Sequence, residues 1–306
     1  MKIWGMSFGL IGDLIAGLPM LTYFEKKYPG SYKYWVIEKK CWFTAPLYFN
    51  HPLIDKIKIT DNWNGAGELD QIEMEKCDIK MFYGDTVKHS SPQWWNNYSL
   101  VEETALMHGI PDMSEVLTPE EMKPRLFKWF DVGIDNPNAH TYSRKNDSYL
   151  NIFEKSIAIW PFAQGGSEGS GRNPHPDWWS RLIAGLIKEG YKVYHYGRSA
   201  DPKLSTLNGY KKMTMLSFFD QVRAALASDL VIGVDTGPMW CIGAYSHPAI
   251  HLMTNWLPNH HSNLECFVPC NDNATNIFVE NKGNLGCNLI NVEQVIETVK
   301  TKRRGL

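Results

Sequence analysis

Residues 230–234 read Leu-Val-Ile-Gly-Val and end on Asp235-Thr236-Gly237-Pro238. Five residues without a polar side chain, bounded by turn formers, suit a buried strand rather than a helix. Strands buried on both faces belong to parallel sheets, where helices return the chain and cover the sheet. The surrounding sequence supplies such helices at 218–227 and, more briefly, at 239–245. The same alternation fills the rest of the second half. A strand over 156–160 is followed by an amphipathic helix over 178–189, stopped by Gly190. A strand over 192–196 ends at Gly197. A strand over 249–253 and a closing helix over 292–300 complete the series.

The first half repeats the pattern less cleanly. Residues 1–6 read as a strand entering the glycine-bearing loop 7–12. A helix follows from about Asp13, with Leu14, Leu18, Leu21 and Phe24 on one face and Pro29-Gly30 ending it. Strands are expected over 34–37, 57–59 and 79–83, and a helix over 100–108. Residues 109–150 are rich in Pro, Asp and Asn, and 136–148 reads as a linker. The expected fold is therefore α/β, with two Rossmann-like domains over 1–148 and 149–306 that face a central cleft. The last helix would be able to pack back on the first domain. Ligands in such sheets sit beyond the carboxyl ends of the strands.

Charge narrows the partners. Residues 1–150 hold 16 Lys and Arg against 20 Asp and Glu; the remainder hold 15 against 13. Neither half has the basic excess of a nucleic-acid binder, whereas a mildly basic second half suits a diphosphate. The 12 Trp and 14 Tyr suit sugar or base pockets, although most such rings pack in cores. Six scattered cysteines form no disulfide framework, and reduced thiols in a cytoplasm are expected. Cys266, Cys270 and Cys287, with His260 and His261, lack the spacing of common zinc sites, so no metal is expected. Nothing at the start reads as a signal peptide, and no apolar run reaches a membrane span. The basic tail 300–304 allows at most a peripheral membrane contact.

Three stretches carry chemistry. At Asp235-Thr236-Gly237-Pro238-Met239 a buried strand turns into a helix with Pro238 near its first position. Free N–H groups and the helix dipole there favour a phosphate; a simple Asp or Thr cap is the plain structural alternative. Next, the strand ending Trp160-Pro161 runs into a Gly/Ser loop containing Ser167 and Ser170, followed by Arg172 and Pro174. Glycines and hydroxyls allow close approach to phosphate oxygens, and Arg172 would neutralise them; a surface loop is the alternative. Finally, Gly12-Asp13 at the mouth of the first domain places a carboxylate that would take a proton from an acceptor hydroxyl, or else cap the helix.

In this order the motifs resemble the bacterial heptosyltransferases, glycosyltransferase family 9. The resemblance rests on Gly12-Asp13 with Leu18-Pro19 and Tyr28-Pro29, on Trp160-Pro161 through Trp179 with Leu182, and on Asp235–Met239. The stretches 216–229 and 286–295 add to it. It covers nearly all of the second half and the first thirty residues. It implies a GT-B fold and metal-independent, inverting transfer from a nucleotide-diphosphate sugar, with no cofactor. A heptose-type donor and a lipopolysaccharide-type glycan or glycolipid acceptor fit it best. By resemblance Asp13 is the catalytic base. Arg172 stands where a phosphate-binding Lys is usual, and Asp235, Thr236 and Gly237 are donor positions. Trp240 replaces a usual His, and the loop 165–171 is unusually long; both departures bear on donor choice. The rival expectations are a nucleotide-sugar epimerase or hydrolase on the same fold, a transferase acting on modified DNA, and a non-catalytic sugar-nucleotide binding module.

Overall fold

A computed structural model describes residues 1–7, 11–60, 68–81, 105, 109–110, 112–126, 155–163, 171–254, 273–282 and 285–304. The chain divides into two compact units, Met1–Tyr142 and Ser143–Leu306. The expected helix over 100–108 and the expected linker lie almost wholly outside the described residues.

In the first unit, β1 (Lys2–Ser7), β2 (Tyr32–Glu38), β3 (Lys56–Thr60) and β4 (Ile79–Met81) form a parallel sheet in the order β3-β2-β1-β4. The expected first helix is two. α1 (Ile11–Ala16) stops before Gly17, and α2 (Pro19–Lys27) starts on Pro19. Proline lacks the N–H a continuous helix needs, but it is well suited to a helix's first turn. The apolar face nonetheless survives the break: Leu14, Leu18, Leu21 and Phe24 are all buried. After β2 the chain enters a 3-10 segment (Lys39–Tyr48), which the sequence did not announce. α3 (Glu68–Glu75) precedes β4.

In the second unit, six parallel strands lie in the order β10-β9-β8-β5-β6-β7. They are β5 (Ser156–Trp160), β6 (Lys192–His195), β7 (Tyr210–Lys212), β8 (Leu230–Val234), β9 (Ala249–Thr254) and β10 (Ala274–Val279). The chain starts at β5, moves outward to β6 and β7, then returns to β8 on the other side. The order therefore reverses between β5 and β8, the crevice where doubly wound folds take their ligands.

The described helices of this unit are α4 (Pro176–Lys188), α5 (Phe218–Leu226), α6 (Gly237–Ala244) and α7 (Val292–Arg304). One face of the sheet, including Ile157, Ile159, Ile232, Val234, Ile250 and Leu252, joins Trp178, Trp179, Leu182 and Ile183 of α4 and Val295 and Val299 of α7 in one core. The closing helix packs on α4 of its own unit: a Cβ at Gly185 would meet the end of the Ile296 side chain at 2.3 Å. Lys300 pairs with Glu189 at 2.8 Å. On the opposite face Gly233 lies under Met239 of α6. Helices on both faces explain why β8 has no polar side chain. Of the described tryptophans only Trp42 is exposed, so the others among them serve packing.

Candidate active site

Trp160 at the end of β5 is in register with Gly233 near the end of β8. The loops that follow, starting at Pro161 and Asp235, therefore leave the same carboxyl edge on either side of the strand-order reversal. β8 gives way to α6 through Thr236, whose backbone is extended and whose hydroxyl accepts the Met239 N–H at 3.4 Å. The Trp240 N–H donates to the Thr236 carbonyl at 3.1 Å. Pro238 has no N–H to offer. Thr236 is thus the cap that the plain structural alternative anticipated. Of the helix's first donors, the Gly237 N–H lies in the first turn, at the positive end of the dipole. Gly237 and Pro238 are partly exposed, whereas the Met239 side chain is fully buried over Gly233 and faces the core.

Arg172 and Asp235, singled out separately in the sequence, meet here. The Arg172 Nε donates to the Asp235 carbonyl at 2.7 Å, and an Nη donates to its carboxylate at 3.0 Å. Both side chains are largely shielded, 14% and 10% exposed. The other carboxylate oxygen of Asp235 accepts the Trp240 indole N–H at 3.3 Å. Trp240 is itself buried. Cys287 is buried within reach of both charges: burial pushes its thiol up to about 12, with Asp235 raising and Arg172 lowering it. The thiol is therefore neutral and is not a nucleophile at ordinary pH.

The stretch 286–295 contributed to the resemblance, but nothing in the sequence tied it to the loop before Arg172, and Asn173 carried no signal of its own. The Asn173 side chain accepts the Ala163 N–H at 2.7 Å and donates to the Ala163 carbonyl at 3.2 Å. The Cys287 N–H donates to the Gly171 carbonyl at 2.8 Å. No local pattern reveals contacts across such separations. Ser167 and Ser170 lie outside the described residues, as do Cys266, Cys270, His260 and His261. Among the described residues no three His, Cys, Asp or Glu side chains converge as a metal-binding group. No described helix is long and apolar enough to cross a membrane.

In the first unit Gly12 and Asp13 fall inside α1, and Asp13 is its third residue. That is past the capping position and within the first turn, where a carboxylate is favoured by the dipole. Asp13 is partly exposed. Ser7 of β1 is in register with Ile37 of β2, so α1 and the 3-10 segment spring from one sheet edge. Burial raises the Cys41 thiol there, Lys40 lowers it, and Glu38 and Asp13 raise it further.

No family model matches the sequence, and no curated protein matches it. Solved structures do match. The E. coli ADP-heptose LPS heptosyltransferase II aligns over 99% of this chain and 98% of its own, with 15% identity and a TM-score of 0.72. A glycosyltransferase family 9 protein from Veillonella parvula DSM 2008 aligns over 98% and 96%, with 14% identity and a TM-score of 0.68. The E. coli heptosyltransferase WaaC, solved with ADP, aligns over 99% and 98%, with 14% identity and a TM-score of 0.52. At these identities the likeness establishes the fold, which is the GT-B fold of these transferases.

Proposed function

We propose that this chain is a glycosyltransferase that moves a sugar from a nucleoside-diphosphate donor to a hydroxyl acceptor, without a metal and with inversion. The observation that carries this reading is the Arg172–Asp235 pair beside the start of α6, at the strand-order reversal of the second unit. That edge combines a guanidinium, the first-turn N–H of Gly237 and a helix dipole, which together suit the two phosphates of a leaving nucleoside diphosphate. Whole-length likeness to heptosyltransferases supports the same class and favours a heptose-type donor and a lipopolysaccharide-type acceptor.

In this mechanism Asp13 accepts the proton of the acceptor hydroxyl. The acceptor oxygen attacks the anomeric carbon from the face opposite the leaving group. The bond from that carbon to the phosphate oxygen breaks, and the nucleoside diphosphate departs with the electron pair. Arg172 and the Gly237 N–H meet the charge that develops on it, and preorganised donors of this kind contribute on the order of 3 kcal/mol each. Asp235 would act mainly by holding Arg172, because both its carboxylate oxygens already have donors.

Calorimetric titration with ADP and UDP tests the reading, combined with crystals soaked in either nucleotide. The expected result is a diphosphate bound by Arg172 and Gly237. Failure of both nucleotides to bind, or a diphosphate held by residues of the first unit, would overturn it.

A further inference from the structure

Arg172 is anchored by its neighbours as well as by its own side chain. Gly171, immediately before it, has φ +68°, a conformation that glycine adopts without steric cost. Its carbonyl accepts the Cys287 N–H at 2.8 Å. Gly171 also crosses Gly286, itself at φ +44°, at close range. A Cβ on Gly171 would lie 2.7 Å from the Gly286 Cα, and a Cβ on Gly286 would lie 2.6 Å from the Gly171 Cα. Only two glycines allow that approach. The Gly286 N–H in turn donates to the Asn281 side chain at 2.9 Å.

Asn173, immediately after Arg172, pairs its amide with both the N–H and the carbonyl of Ala163. Ala163 is buried just beyond β5. The flanks of Arg172 are therefore tied to two different places, the end of β5 and the 3-10 turn Gly286–Leu289. Its guanidinium is tied to a third, the end of β8. A long side chain with several rotors gains a defined place only when the backbone that carries it is fixed. Here a single amide, set one residue from the cation, closes the last free flank.

We propose that Asn173 is a positioning residue for Arg172, fixing the guanidinium where the diphosphate of a nucleotide donor would bind, with the Gly171–Gly286 crossing as the second anchor. The inference rests on the reading of Arg172 given above, and its test separates the two.

The test is a double-mutant cycle on ADP and UDP affinity, with urea stability measured on every variant. Arg172→Ala is expected to weaken ADP at least tenfold. Asn173→Ala is expected to weaken it about tenfold in the wild-type background and less than twofold in the Arg172→Ala background. Asn173→Ser, an uncharged polar replacement, is the milder change for folding and should fall between wild type and Asn173→Ala. Gly286→Ala should show the same dependence on Arg172. A purely structural role for Asn173 predicts lower urea midpoints with ADP affinity unchanged, and that result would overturn the proposal. Equal losses of affinity in both backgrounds would overturn it too, because Asn173 would then act without Arg172. If Arg172→Ala itself leaves both nucleotides bound as before, the diphosphate role of Arg172 falls, and the positioning role falls with it.

Discussion

The Arg172 guanidinium engages Asp235 twice, at the main-chain carbonyl and at the carboxylate, across 63 residues of sequence. Trp240 completes the arrangement from α6. Replacing Asp235 with Ala would leave the guanidinium and the indole N–H with lost partners in a mostly shielded setting. The expected cost is about 2–3 kcal/mol, below the range for fully buried pairs because both side chains keep some exposure. Urea unfolding reads it. A loss below about 0.5 kcal/mol would place the pair with ordinary surface ion pairs.

Asp13→Asn is expected to lower kcat by about 10²–10⁴-fold while donor affinity stays close to wild type. The substitution keeps the shape of the side chain and removes its charge together with its ability to accept a proton. Steady-state kinetics with saturating donor makes the measurement. A folded Asp13→Asn protein with wild-type kcat would leave the catalytic base unassigned.

Gly233→Ala probes how β8 sets the start of α6. The new Cβ would sit 2.5 Å from the Met239 Sδ, 2.7 Å from its Cγ and 3.0 Å from the Trp160 carbonyl. Met239 is fully buried and has little room to yield, so overpacking should cost about 1–3 kcal/mol. It should also weaken nucleoside diphosphate binding by displacing Gly237 and Pro238. Unchanged stability would mean that Met239 repacks freely.

Acid should destabilise the protein through three buried imidazoles. Burial lowers His51 to about 4, His195 to about 4 and His251 to about 3. Among the described residues neither ring nitrogen of His251 has a hydrogen-bond partner. Unfolded histidine titrates near 6.5. Between about pH 6.5 and these lowered values the unfolded chain binds protons that the folded chain does not. Stability is therefore fully present above pH 6.5 and is lost as the pH falls toward 4. Each histidine contributes a slope of about 1.4 kcal/mol per pH unit. Urea midpoints at pH 7, 6 and 5 report the trend, and His251→Leu should remove one histidine's share. A midpoint constant over this range would show that the imidazoles titrate normally.

On the proposed reading turnover should persist in EDTA, with the Arg172 guanidinium and the start of α6 taking the part a divalent cation plays at a leaving diphosphate. Assaying sugar transfer with and without chelator decides it. Loss of turnover that manganese or magnesium restores would refute the metal-free mechanism.

Much of this architecture was legible locally. The apolar run at β8 spans the same five residues that form the strand, because burial on both faces excludes polar side chains. Thr236 and Pro238 announce the start of α6, since capping and a first-turn proline depend on adjacent residues alone. β7 and β10 escaped notice because they are outer strands, partly exposed, and carry polar residues that interrupt any apolar run. The site itself lay beyond local reach. Asp13, Arg172 and Asp235 were visible as candidates, but Arg172 approaches Asp235 only once β8 lies beside β5, and Gly171 crosses Gly286 only once the turn at Gly286–Leu289 returns to the loop after β5. Neighbouring residues encode the period and ends of an element. Which strands pair, and which distant side chains then meet, follows from packing the whole sheet between its helices, and that was decided by the tertiary structure alone.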